Sequence, residues 1–117
     1  MYTVTMPSIT EKRKNRRFSS IAKVRIPKAF TGEAILKDIS ITGCRIECTV
    51  HVEIEEKSQY VITVYPEGIA NIGNFDLLVE CKRIYSGGDS CGIGFEIKKS
   101  PGKKDFERYV DYLTWKQ

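Results

Sequence analysis

From Phe18 onward the chain alternates between apolar and polar positions. Ala22, Val24 and Ile26 share one side of an extended segment and Lys23 and Arg25 take the other, until Pro27 stops it. Phe30-Thr31-Gly32 predicts a turn, 33–39 a second strand, and Ser40-Ile41-Thr42-Gly43 a tight connection in which Gly43 is free to take a positive φ that a side chain would penalise. The third strand, 44–51, has the clearest pattern: Cys44, Ile46, Cys48 and Val50 point one way, and Arg45, Glu47, Thr49 and His51 the other. Such a two-residue period describes a half-buried antiparallel strand. An acidic loop at 53–57 precedes a fourth strand, 59–65, which Pro66 closes, and the glycines within 67–74 predict a longer loop. A fifth strand, 75–85, buries Leu77, Val79 and Cys81. Ser86-Gly87-Gly88-Asp89 follows as a hairpin turn. The sixth strand, 91–97, turns Cys91, Ile93, Phe95 and Ile97 inward and leaves Gly92 and Gly94 on its outer face, where bare backbone admits a close neighbour or marks a bend.

After Ser100-Pro101-Gly102 the period changes. Phe106, Tyr109, Val110 and Leu113 recur at helical spacing, so one amphipathic helix is expected over 102–116, with Ser100-Pro101 as its start signal. Six short strands with tight links predict an all-β protein, a six-stranded antiparallel β-barrel whose closure removes exposed edges, with the helix across one end or face. The 117 residues suit one domain, long enough to bury a core without disulfides or metal. Residues 1–10 are expected to be a flexible tail and 11–117 the domain, divided into an arm (11–18), the barrel (18–98) and the helix.

Charge changes this picture at one place. Residues 11–28 hold eight Lys and Arg against a single acid, although the whole chain carries a formal net charge of only +4. Within the arm, Lys12, Arg13, Lys14, Arg16 and Arg17 are cationic and Asn15 is polar, so the segment cannot bury itself and is expected to order around an anion. Arginine suits that purpose, because its planar fork binds phosphate bidentately, grips a guanine edge or stacks on a base. The N-terminus has no signal-peptide pattern and no run approaches the roughly 20 apolar residues of a membrane helix. A cytoplasmic protein with reduced thiols is expected. Cys44 and Cys48 on one strand would lie roughly 13 Å apart, beyond the roughly 7 Å reach of a disulfide. Without a CxxC and with His51 as the one histidine, no zinc or other metal site is expected.

Asp38, Ser40 and Gly43 form Asp-x-Ser-x-x-Gly at the end of the second strand. Two residues apart, Asp38 and Ser40 are expected on one face. A carboxylate there can accept from N1–H and N2–H₂ of guanine or orient an arginine, and the Ser40 hydroxyl and turn amides can donate to phosphate. Arg13-x-x-x-Arg17, then Asp38-x-Ser40-x-x-Gly43, then Gly92-Ile93-Gly94-Phe95 late in a six-stranded barrel, together resemble a PilZ domain over residues 11–98. PilZ domains are bacterial receptors for cyclic di-GMP. The resemblance implies that Arg13 and Arg17 grip phosphate and guanine and that Asp38 and Ser40 hold a guanine and a phosphate. It further implies that Gly43 shapes the turn and that Gly94 belongs to the ligand face. Lys12 occupies a position that in related domains bears on whether one ligand or a stacked pair binds, and a cation there leans toward the pair. The resemblance also implies signalling to a downstream effector protein, since these residues leave no room for an output domain; motility, adhesion and virulence are the family's common outputs.

Two other classes stay open. One is a PilZ-like adaptor that binds protein and no nucleotide, whose usual signature is a missing arginine or Asp-Ser motif. The other is a basic barrel for nucleic acid, against which stands the lack of an exposed aromatic ladder. Enzymatic activity is not expected, because Ser40 lacks a nucleophile-elbow pattern and a base. No cofactor beyond the cyclic dinucleotide ligand is implied.

Overall fold

A computed structural model describes residues 16–26, 34–48, 53–87 and 90–116. Among the described residues seven strands run in chain order: β1 (Phe18–Ser19), β2 (Lys23–Arg25), β3 (Ala34–Ile39), β4 (Gly43–Cys48), β5 (Gln59–Tyr65), β6 (Phe75–Gly87) and β7 (Ser90–Lys99). A helix follows, α1 (Lys103–Lys116), and a 3-10 turn, Gly68–Ala70, lies between β5 and β6. Every pairing is antiparallel, in the order β1-β3-β2-β5-β6-β7-β4, and a β3–β4 pairing closes the sheet. The result is the expected six-stranded barrel with one additional strand and a C-terminal helix.

The additional strand arises because the first expected strand is interrupted. Both β1 and β2 pair with the same edge of β3, β1 at Ile39 and Asp38, β2 at Ile35 and Ala34. Between them the Ser20 side chain accepts the Ala22 amide (3.0 Å), a local bond that takes the place of ladder pairing. Predicted and observed bounds otherwise differ by a few residues at element ends. The ends of the third strand (49–52), the turn at 27–33 and the hairpin tip at 88–89 lie outside the described residues, as does His51. Gly87 pairs with Ser90 on either side of that tip.

Alternation places the core. Val24, Leu36, Ile46, Ile62, Leu77, Val79 and Ile93 are all buried, and Phe106, Tyr109, Val110 and Leu113 of α1 join the same cluster. The helix thus caps the barrel with the stripe its sequence marks out, its Phe106 and Tyr109 rings tilted against Phe75 at 5.9 and 6.0 Å.

The ladder register shifts three times, each at a lysine: Lys98 of β7 is extra opposite Leu78 and Val79, and the other two shifts re-aim charged residues. In β3, Leu36 faces Ile46 and Asp38 faces Arg45, so Lys37 is an extra residue with no opposite number. In β6, Cys81 faces Phe95 and Arg83 faces Gly94, so Lys82 is extra in the same way. A strand that kept strict period would send Asp38 inward after Ala34 and Leu36, and Arg83 inward after Leu77, Val79 and Cys81. Each of these two bulges shifts the count by one and turns the charged residue outward.

Truncating Leu36, fully buried beside the first bulge, is expected to remove about 2–5 kcal/mol in Leu36→Ala. Val61→Ala, on the exposed side of β5, is expected to cost less than about 0.5 kcal/mol. Guanidinium denaturation of both variants checks this contrast.

Candidate functional site

The two bulges bring charged residues into one cross-strand row on the outside of the barrel. Ser19 faces Asp38, Asp38 faces Arg45, Arg45 faces Gly94, and Gly94 faces Arg83. Gly94 carries no side chain, so the row has a gap between its two arginines. A Cβ placed there would meet only Arg83, at ordinary contact distances of 3.9–4.0 Å. Its neighbour Gly92 floors a groove of about 350 Å³, walled by Lys37, Arg45, Glu47, Tyr85 and Ser90. At this groove the Arg83 guanidinium lies 5.9 Å from the Tyr85 ring centre, within cation–π reach.

Asp38 is the centre of the row. Its side chain is 16% exposed, and each carboxylate oxygen has its own guanidinium: Arg17 Nη1 donates to Oδ1 at 2.7 Å, and Arg45 Nη2 lies 3.2 Å from Oδ2. Both arginines are about half exposed. Water screens such pairs, and each contributes only about 0.2–1 kcal/mol. They are therefore easily exchanged for another partner of the carboxylate.

The turn after Asp38 is held from within. Ser40 is 1% exposed, and its Oγ accepts the amides of Gly43 (3.1 Å) and Thr42 (3.3 Å) while donating to the Gly43 carbonyl (3.3 Å). Asp38 and Ser40 therefore do not present together at the surface as expected. The serine hydroxyl is engaged by its own turn rather than offered to a phosphate, because three local backbone partners satisfy it once buried.

Gly43 departs from expectation as well. It does not take a positive φ, and glycine is required there for space: a Cβ would stand 2.9 Å from the Phe95 carbonyl oxygen and 3.2 Å from Arg17 Nη2. The missing side chain lets β7 close on β4 and lets the Arg17 guanidinium lie down on the turn. Arg17, Asp38 and Gly43 thus meet at one point. Lys12 and Arg13 lie outside the described residues. The next residue inward from them that the structure describes, Arg16, stacks over the Phe18 ring at 5.4 Å.

Arg45 and Arg83 were not among the residues expected at the site. Alternation already placed Arg45 on the outer face of the third strand, the one available signal. Arg83 gave none, since strict period puts it inside. Directly beneath the cluster, Cys44 is fully buried and its thiol is pushed up to about 12; burial is the main cause, Arg17 opposes it and Asp38 adds to it. This thiol is a protonated core group rather than a nucleophile.

The chain matches no family model, and the search of curated proteins finds no significant relative.

Gly43→Ala is expected to destabilise the fold by about 1–3 kcal/mol, because backbone rather than a flexible side chain blocks the new methyl. Thermal unfolding measures this. At pH 8, iodoacetamide is expected to leave Cys44 unmodified in the folded protein and to label it after unfolding in guanidinium. Peptide mass spectrometry reads both states.

Proposed function

We propose that the protein is a PilZ-type receptor for cyclic di-GMP, and that the ligand sits on the Asp38 row. One observation carries the reading: a single outward carboxylate, Asp38, collects two guanidinium partners at 2.7 and 3.2 Å from different elements. Guanine presents N1–H and N2–H₂ side by side, the same paired-donor edge that an arginine offers. A guanine edge would therefore replace one guanidinium at Asp38 without leaving the carboxylate unpaired. The released arginine would then be free for the adjacent phosphate.

The remaining parts suit a ligand with two bases and two phosphates. Arg45 and Arg83 flank the bare Gly94 backbone, where a flat base would have a guanidinium on either side. Arg13 and Lys12, continuing the arm beyond Arg17, would close over the outer side. Ser40 and Gly43 serve this site by holding the turn and leaving room for Arg17. A single inorganic anion would use the arginines but not Asp38. The ordered arm and reshaped face would then be read by a partner protein.

Titration calorimetry with cyclic di-GMP tests the reading and gives the stoichiometry. Each charge-assisted contact contributes about 1.5–3 kcal/mol, so Arg17→Ala and Asp38→Ala are each expected to weaken binding about tenfold or more while the protein stays folded. Unchanged affinity in both variants contradicts the site. No binding by the wild-type chain favours the adaptor class instead.

A further inference from the structure

Away from the row, one polar group is fully buried and bridges three distant segments. Tyr109 of α1 has no exposed surface, and its ring lies between Phe75 at 6.0 Å and Tyr112 at 6.1 Å. Its hydroxyl donates to Glu67 Oε1 at 2.8 Å, ahead of the 3-10 turn. With that proton committed, the 2.7 Å contact to Ser20 Oγ is a bond donated by the serine. Ser20 in turn accepts the Ala22 amide at 3.0 Å, and its own amide donates to the carbonyl of the bulged Lys37 at 3.0 Å. Lys116 Nζ, at the end of the helix, lies 3.6 Å from the other oxygen of Glu67. Burial, above all, raises the Tyr109 hydroxyl far beyond the usual tyrosine range, so it keeps its proton at neutral pH.

Packing does not explain the hydroxyl, since a phenylalanine would fill the ring's place. What the oxygen adds is a link between the helix and the residue that follows β1. That strand is only two residues long, too short to be fixed by its ladder bonds to β3, and Arg17 immediately precedes it. The position of Arg17 over Asp38 therefore depends on what anchors β1. Beyond the ladder, the anchors are the buried Phe18 ring, the backbone bonds of Ser20 and Ala22 to β3, and the Ser20–Tyr109 bond, and α1 packs on β1 directly.

We infer that Tyr109 is a positioning residue for the Asp38 cluster: through Ser20 it fixes the short strand that carries Arg17, so helix α1 and the Arg17 guanidinium form one coupled unit. A ligand that uses Arg17 then meets a guanidinium already held in place by the helix tether, and a partner that shifts the helix alters the arginine. The ligand part of this rests on the cyclic di-GMP reading; the coupling itself does not.

The test begins without ligand. The Nε–Hε resonance of Arg17 is assigned by its absence from Arg17→Ala, and its exchange with water is compared in Tyr109→Phe, Ser20→Ala and the control Tyr112→Phe. Exchange is expected to rise about fivefold or more in the first two and to stay at the wild-type rate in the control. If Tyr109→Phe does not fold, Ser20→Ala decides alone. Rates within about twofold of wild type in the folded variants overturn the inference.

With cyclic di-GMP, Tyr109→Phe is expected to weaken binding about three- to tenfold in the wild-type background and not at all in Arg17→Ala. Equal losses in both backgrounds show that the hydroxyl does not act through Arg17, which also overturns the inference. Should the wild-type chain bind no cyclic di-GMP, the nucleotide reading fails, and the ligand-free exchange rates still decide the coupling.

Discussion

A carboxylate facing the interior of this barrel would be an unpaired buried charge among Leu36, Ile39 and Ile46, and burial of that kind costs several kcal/mol. The extra residue at Lys37 removes the conflict by turning Asp38 outward while Ile39 returns to the core. Two contacts at the candidate site follow from that shift. Asp38 comes to face Arg45 across the ladder, and Arg17 reaches it from the strand on the other edge of β3.

The second bulge, at Lys82, acts on the other side of Gly94. Strict alternation through β6 would bury Arg83; instead Cys81 stays in the core and Arg83 joins the outer row. Two irregularities in separate strands thus align three charged residues around a bare glycine. Bulges bend and twist a strand as well as re-aiming it.

Much of this was legible in the sequence. The six strands, the helix and nearly all of the core follow from counting periods of two and then of 3.6. The joining of Arg17 to the Asp38 turn was legible as well, from the residue types and their order. The bulges were not, because one added residue leaves no mark in a pattern of apolar and polar positions, and lysine suits either exposed context. For that reason Arg83 was missed. Asp38 and Ser40 were expected to share a face because alternation was carried past Ile39 into the turn, where Ser40 instead bonds its own backbone. Gly43 was assigned to the wrong cause: a tight turn suggests positive φ, whereas the need for space appears only once the Phe95 carbonyl is seen to approach it. The interruption at Ser20 was equally silent, since Ala22, Val24 and Ile26 keep their alternation on the far side of the break.

Helix α1 completes the account. Its apolar stripe closes the barrel, and its one fully buried hydroxyl ties that closure to the strand beside Asp38. Stability and display therefore meet in one short segment, Arg17 to Ser20. The most direct measurement of the central claim is an amide-and-guanidinium NMR titration of the whole chain with cyclic di-GMP. The account predicts that shifts concentrate on Arg17 and on Asp38, Arg45, Gly94 and Arg83, the row that the two bulges create. Shifts confined to the opposite wall, around Val61 and Thr63 of β5, would contradict it.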